Sequence, residues 1–396
     1  MDLREKLKSE SSAEKINGDA EDVNINFDKK KLLVIFLLCI IMLTLLYPTD
    51  QLVNSTYLNT ESCKKKKEMG KDQYNNAGLL NGQKLSDELL EDKKYVIYPD
   101  RVFLHFDYHR SYADQSARLG NALKKAIGTC RLYIMPAPMR VFTEETGKSD
   151  LDNYTLFMEE IGQHLNPGIY LVDTFPDISA HQDEYVFFRT ENSWTARGAY
   201  YGCRDLFELM GKDIPEIEKY NEYMFRPFWG TTRHECKEEY SKDSAIYKSL
   251  KNIEEDPLYF YLSPKSENRE EIVEENSAGE MIRTKKPMIT TETVGLGAFV
   301  GNDYEYAIVD GKGAKTILVI CDRTGNVMVP FLADEFRKVY VINIERADVT
   351  AEEIRNIIKE YEVSDVLWVQ NVLRMGDGEY CKVLNSIISD EMENEK

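Results

Sequence analysis

Residues Thr316–Asn326 read T-I-L-V-I-C-D-R-T-G-N, an apolar run that stops at a carboxylate and passes into a polar, turn-forming tetrad. The run Thr316–Ile320 has the composition of a buried strand, and Asn326–Phe336 continues as a helix. Working outward, Lys338–Ile344 (K-V-Y-V-I-N-I) is a strand, Ala351–Tyr361 a helix, Ser364–Gln370 a strand, and Cys381–Ile388 a last helix. Toward the N-terminus, Trp194–Met210 is helical and stops at Gly211, Gly168–Val172 is a strand, and Leu151–Leu165 is a helix. Arg131–Pro136 is a strand, Tyr112–Ile127 a helix stopped by Gly128, and Tyr95–Tyr98 and Val102–Phe106 are short strands. This alternation predicts an α/β fold with a parallel sheet. Residues 212–295 break it and are read as an insertion of loops and antiparallel strands. In an open parallel sheet, ligands bind beyond the C-terminal strand ends, which is where Cys321–Asn326 falls.

A serine hydrolase built on such a sheet needs a nucleophile on the strand-to-helix turn, a histidine within reach, and a carboxylate to orient it. The turn is present, but Arg323 stands where the serine would be. A second segment, Thr190–Thr195, reads T-E-N-S-W-T and lacks the Asp and His of a base. The histidines are His105, His109, His164, His181 and His234, and none lies in either segment. Substitute nucleophiles are Thr324, Ser193 and Cys321, although Cys321 also reads as a small buried residue ending a strand. T-E-N-S-W-T has a purely structural reading too: Asn192 or Ser193 caps the helix at Trp194, Trp194 fills core space, and Gly198 permits close packing. Arg323 is read either as a fixed charge at a helix N-terminus, favouring an anion, or as one half of a buried ion pair with Glu191 or Asp322.

Taken together, these segments resemble the DHHW family, relatives of the AlgX/AlgJ-type SGNH hydrolase-like proteins of polysaccharide O-acetylation. The family motif runs roughly Y-R-T-D-H-H-W-T-x-x-G-A-Y-Y, and Phe188–Tyr201 here reads F-R-T-E-N-S-W-T-A-R-G-A-Y-Y. A second family segment is like D-S-Y-x-N-x-x-V-P-F-L, and Asp322–Leu332 reads D-R-T-G-N-V-M-V-P-F-L. Phe228-Trp-Gly-Thr231, Phe299-Val-Gly-Asn302 and Arg131–Pro138 give weaker matches in the same order. The resemblance implies an SGNH-hydrolase-like α/β/α sandwich. It places the family's catalytic Asp at Glu191, its two histidines at Asn192 and Ser193, and its serine at Arg323, so no catalytic residue is carried over. Trp194, Asp322, Arg323, Thr324 and Asn302 remain as candidate binding residues.

The chain has 396 residues, a net charge of −19 and a pI near 4.9, which argues against general binding to nucleic acid or anionic lipid. Leu32–Tyr47 (L-L-V-I-F-L-L-C-I-I-M-L-T-L-L-Y) follows Lys29–Lys31 and stops at Pro48. It is close to the lower limit of about 17 residues for a spanning helix, and no small-residue cleavage site follows it. The expected layout is a cytoplasmic tail over residues 1–28, a signal anchor over 29–48, a polar stalk over 49–93, and an extracytoplasmic domain over 94–390. The basic flank puts the N-terminus in the cytoplasm and the domain outside a cell membrane. Seven cysteines without a C-x-x-C pair leave disulfides and buried thiols both open, and no metal or cofactor signature is present. The resemblance implies a catalytically degenerate protein that binds or scaffolds in polysaccharide O-acetylation, with a membrane-bound O-acyltransferase and an envelope polysaccharide as partners. The alternatives are an active O-acetyltransferase or acetyl esterase with a non-standard nucleophile, and a surface interaction protein without a glycan role.

Overall fold

The structure, a computed structural model, describes residues 89–393 apart from 91, 264–269, 276–280, 287, 290–294, 301–303 and 348. The tail, the apolar run Leu32–Tyr47, most of the stalk and Asn302 lie outside the described residues. Among those described, no helix is long and apolar enough to cross a membrane.

The strands are β1 (Tyr95–Tyr98), β2 (Arg101–Leu104), β3 (Arg131–Ala137), β4 (Ile169–Leu171), β5 (Asn221–Phe228), β6 (Asp256–Leu262), β7 (Glu270–Glu275), β8 (Met281–Lys286), β9 (Tyr306–Asp310), β10 (Thr316–Cys321), β11 (Lys338–Asn343) and β12 (Val363–Asn371). The central sheet has the order β4-β3-β12-β10-β11-β9-β7-β8. From β4 to β11 every pairing is parallel, as the alternation of strand and helix predicts. The fold is therefore mixed α/β with a mostly parallel sheet. The all-parallel expectation needs correction at one edge, where β9, β7 and β8 pair antiparallel. Two of these added strands, β7 and β8, come from the 212–295 insertion, so the insertion extends the sheet. The rest of the insertion makes the separate antiparallel pair β5–β6 and the helices Thr231–Glu239 and Ala245–Leu250.

The period-two alternation of β10 explains why both faces of the sheet are covered. Ile317, Val319 and Cys321 enter one apolar core, together with helices Ala196–Leu209 and Val329–Glu335. Leu318 and Ile320 enter the other, with helices Arg110–Ile127, Lys148–His164, Ala351–Glu360 and Lys382–Glu393. Between β10 and β11 the expected single helix over Asn326–Phe336 is two short ones, Arg323–Asn326 and Val329–Glu335. A smaller third core under the β1–β2 hairpin contains Tyr95, Ile97, Val102 and Cys236.

The folded part begins before residue 94. Leu90 N–H donates to Ile97 O at 2.9 Å, and the Asp92 carboxylate accepts from the backbone of Lys94 and Tyr95 at 2.8 and 2.9 Å. The last helix runs to Glu393. Among the described cysteines, Cys130, Cys203, Cys236, Cys321 and Cys381 are all free and buried.

Candidate functional site

The two motif segments meet at the C-terminal end of β10, across a cleft of about 520 Å³. One wall is Asp322–Asn326. Cys321 ends β10, and Asp322 caps the short helix that follows, its Oδ1 accepting from Thr324 N at 2.8 Å. Its Oδ2 accepts from Asn371 N at the end of β12, at 3.1 Å. Burial, and then the nearby Glu345 charge, push the Asp322 carboxyl above its ordinary value. Arg374 donates to Glu345 at 2.6 Å. Burial opposes the Arg374 charge, but Glu345 and Asp322 outweigh it and hold the guanidinium above its ordinary value.

The other wall is Thr190–Thr195, which has no regular secondary structure and is tied down by side chains. Asp256, fully buried at the start of β6, takes most of the load. Its Oδ1 accepts from Tyr185 OH at 2.6 Å and Arg189 N at 2.8 Å. Its Oδ2 accepts from Thr190 N at 2.8 Å and Thr190 Oγ1 at 2.5 Å. The segment Phe228-Trp-Gly-Thr231 docks alongside: Gly230 N–H donates to Thr190 Oγ1 at 2.7 Å, and Thr231 N–H to Glu191 Oε2 at 2.8 Å. A Cβ on Gly230 would lie 2.3 Å from Thr190 O, so only glycine allows this approach. Burial raises the Glu191 carboxyl, while the Thr231 and Asn192 donors pull it back.

The helix after this wall starts at Ala196, and its cap is Thr195, whose side chain accepts from Gly198 N. Asn192 and Ser193, read as possible caps, sit too early in the chain for that role. Trp194 is fully buried and donates Nε1–H to Thr324 O at 2.9 Å, which pins one wall to the other. Its expected place among the binding residues is therefore corrected to a packing role, because no face of the ring reaches the cleft. Gly198 permits the close approach expected of it, since a Cβ there would lie 2.2 Å from Val186 O.

Glu191, Asn192, Ser193, Asp322, Arg323 and Thr324 are brought together around the cleft. Arg323 is exposed, so it is not half of a buried ion pair. Its helix is four residues long, too short for a useful dipole, and the Asp322 carboxylate already occupies the Thr324 N–H. Ser193 Oγ lies 3.5 Å from Thr324 Oγ1, long for a hydroxyl hydrogen bond. Among the described residues, no histidine lines the cleft. His105 pairs instead with Asp150 at 3.1 Å, His164 and His181 bond the backbone one turn earlier, and His234 faces Glu238. Cys321 is buried, and that burial pushes its thiol well above the ordinary value, so the reactive thiolate is suppressed. Asn192 keeps its side chain buried with neither Oδ1 nor Nδ2 partnered among the described residues. Such a group costs about 1–3 kcal/mol. Asp256, Asn371, Arg374 and Glu345 are site residues that sequence reasoning missed. Each arrives from a distant element, and none sits in a pattern that local spacing could reveal.

The family model described as "DHHW protein" matches residues 13–342. No curated protein matches the chain. Among solved structures, a DHHW family protein from Eubacterium siraeum is similar with a TM-score of 0.61 and 19% identity, over 75% of this chain and 94% of that one. PatB1 of Bacillus cereus, solved with a sulfonyl adduct, is similar with a TM-score of 0.53 and 12% identity, over 76% of this chain and 98% of that one. At these identities the likeness speaks to the fold alone.

Proposed function

The chain belongs to the DHHW family, and from that membership we propose that it is a membrane-anchored, catalytically degenerate member that binds or scaffolds during polysaccharide O-acetylation in the cell envelope. One observation carries the reading. A cleft stands open at the strand ends where the family's reactive residues belong, and it is lined at those positions by Glu191, Asn192, Ser193 and Arg323, with no histidine among the described residues. Loss of one triad serine or histidine costs about 10⁶-fold in turnover in a measured protease. Here the serine and both histidines are replaced, and among the described residues no histidine reaches the cleft hydroxyls of Ser193, Thr231, Thr232 and Thr324. The tertiary framework around them is intact, which favours a retained recognition surface over hydrolysis. The polysaccharide and a membrane-bound O-acyltransferase are the partners that the family resemblance suggests. The apolar run Leu32–Tyr47 supplies the anchor, with the N-terminus in the cytoplasm and the domain outside the membrane.

The test is acetyl-ester turnover by the purified full-length chain, beside a variant carrying Glu191→Asp, Ser193→His and Arg323→Ser. The expected wild-type rate equals the uncatalysed background. Wild-type turnover that Thr324→Val abolishes would overturn the degenerate reading and install an active esterase with a threonine nucleophile. Protease added to intact cells is expected to digest the domain, and a protected domain would overturn the topology.

A further inference from the structure

The cleft contains one polar group that the fold itself leaves unused. Asn192 is buried at the cleft, and both its amide oxygen and its amide nitrogen lack a partner among the described residues. The backbone that carries it is fixed on both sides. Asn192 N–H donates to Glu191 Oε1 at 3.0 Å, and Asn192 O accepts from Asn371 Nδ2 at 2.5 Å. An asparagine amide presents an acceptor and two donors side by side. Its complement is a group that also offers a donor and an acceptor side by side, such as two adjacent hydroxyls.

A second feature lies on the same cleft. Trp229 is 51% exposed, whereas Trp194 and Trp368 are fully buried. Arg233 lies over its ring at 4.6 Å, and Nε1–H reaches Ile253 O at 3.4 Å, so the indole is held in place while much of it faces solvent. The hydrogen bonds from Gly230 and Thr231 tie this residue's segment to Thr190 and Glu191, beside Asn192. The third feature is charge. The described ionisable residues of the cleft are Glu191, Glu235, Asp322 and Glu345 against Arg323 and Arg374. An anionic ligand would enter a field dominated by carboxylates.

We infer that the cleft takes a neutral sugar, with a vicinal diol on the Asn192 amide and the C–H face of the ring on Trp229, and that it disfavours acidic polysaccharide. This rests on the glycan-binding reading above and narrows it to a chemical class. One hydroxyl donates to Oδ1 and its neighbour accepts from Nδ2–H. Both amide atoms are closed to a water-sized group, so the Asn192 side chain turns out of the cleft floor to meet the diol, and it gives up no hydrogen bond in doing so. The indole supplies an apolar face for the carbon side of the sugar.

The experiment titrates the full-length chain in detergent micelles with mannohexaose, cellohexaose and an oligogalacturonate of equal length, read by calorimetry and tryptophan fluorescence. At least one neutral oligosaccharide is expected to bind about tenfold or more tighter than the oligogalacturonate. Asn192→Leu is expected to lose about tenfold or more in affinity while its Tm stays level or rises, because the unpaired buried amide is gone. Trp229→Ala is expected to weaken binding and to remove the fluorescence change, since the other two tryptophans are buried. Tighter binding of the oligogalacturonate, or unchanged affinity in Asn192→Leu, overturns the inference and leaves the glycan reading standing. Absence of binding by both classes overturns the glycan reading itself.

Discussion

The two walls of the cleft are built by different means. Asp322–Asn326 is a strand end that turns into a helix and caps itself, so its backbone path comes from residues within a few positions of one another, and Asn371, Trp194 and Tyr304 add ties to a turn already formed. Thr190–Thr195 is closed locally only by the isolated bridge between Phe187 and Trp194, and its first residues are shaped by Asp256, Gly230 and Thr231, which lie 40 to 66 positions away in the chain. The first wall stands on local chemistry and the second on tertiary hydrogen bonds. A family can therefore change the reactive residues of the second wall while its shape persists, provided the buried anchors stay.

The largest test of this contrast is Asp256→Ala. It strands the donors of Tyr185, Arg189 and Thr190 in the interior and removes the carboxylate facing Arg189 Nε at 3.7 Å. A loss of about 4 kcal/mol in urea denaturation is expected, since breaking a buried charged network is costly. Gly230→Ala comes next. Its Cβ would collide with the Thr190 backbone, so about 2–3 kcal/mol and a displaced Glu191 are expected, measured by thermal melts and by amide exchange at Thr190–Asn192. Asp322→Ala removes a cap and one tie to β12, and about 1–2 kcal/mol is expected. Equal losses for Asp322→Ala and Asp256→Ala would break the comparison.

The smallest effect is one of pH. The folded Glu191 carboxyl is raised above its ordinary 4.5, chiefly by burial. As pH rises from 4.5 toward the folded value, the unfolded chain gives up its proton first, so stability falls across that window. Glu191→Gln is expected to flatten the fall, as read from Tm against pH. A wild-type Tm that climbs through the same window would show that the Thr231 donors outweigh burial.

Most of the parallel sheet was legible because each strand and helix carries its own period. T-I-L-V-I announces β10, and the residues Arg110–Ile127 carry helical spacing with a glycine at the end. The turn at Asp322 was legible for the same reason. The antiparallel extension was not. Nothing local in E-E-I-V-E-E tells that this strand joins the main sheet beside β9, because edge pairing is decided by the partner. Asp256 was equally silent: a single aspartate before a proline reads as a turn, and only the folded chain brings it under Thr190. The buried-pair alternative for Arg323 failed because its side chain stands exposed, and exposure at a strand-to-helix turn is set by the surrounding fold rather than by local spacing.

The buried cysteines give the molecule a built-in set of opening reporters. A thiol reacts as the thiolate, and burial pushes Cys236 and Cys381 up to about 12 and Cys203 and Cys321 well above their ordinary value. Alkylation must therefore wait for each neighbourhood to expose its sulfur, and the labelling rate at each position reads the local opening equilibrium. Cys236 sits in the small core beneath the β1–β2 hairpin, whereas Cys203 and Cys321 sit in the main one. Site-resolved labelling of the unmodified chain would thus time the outer hairpin region against the floor of the cleft, with no probe introduced.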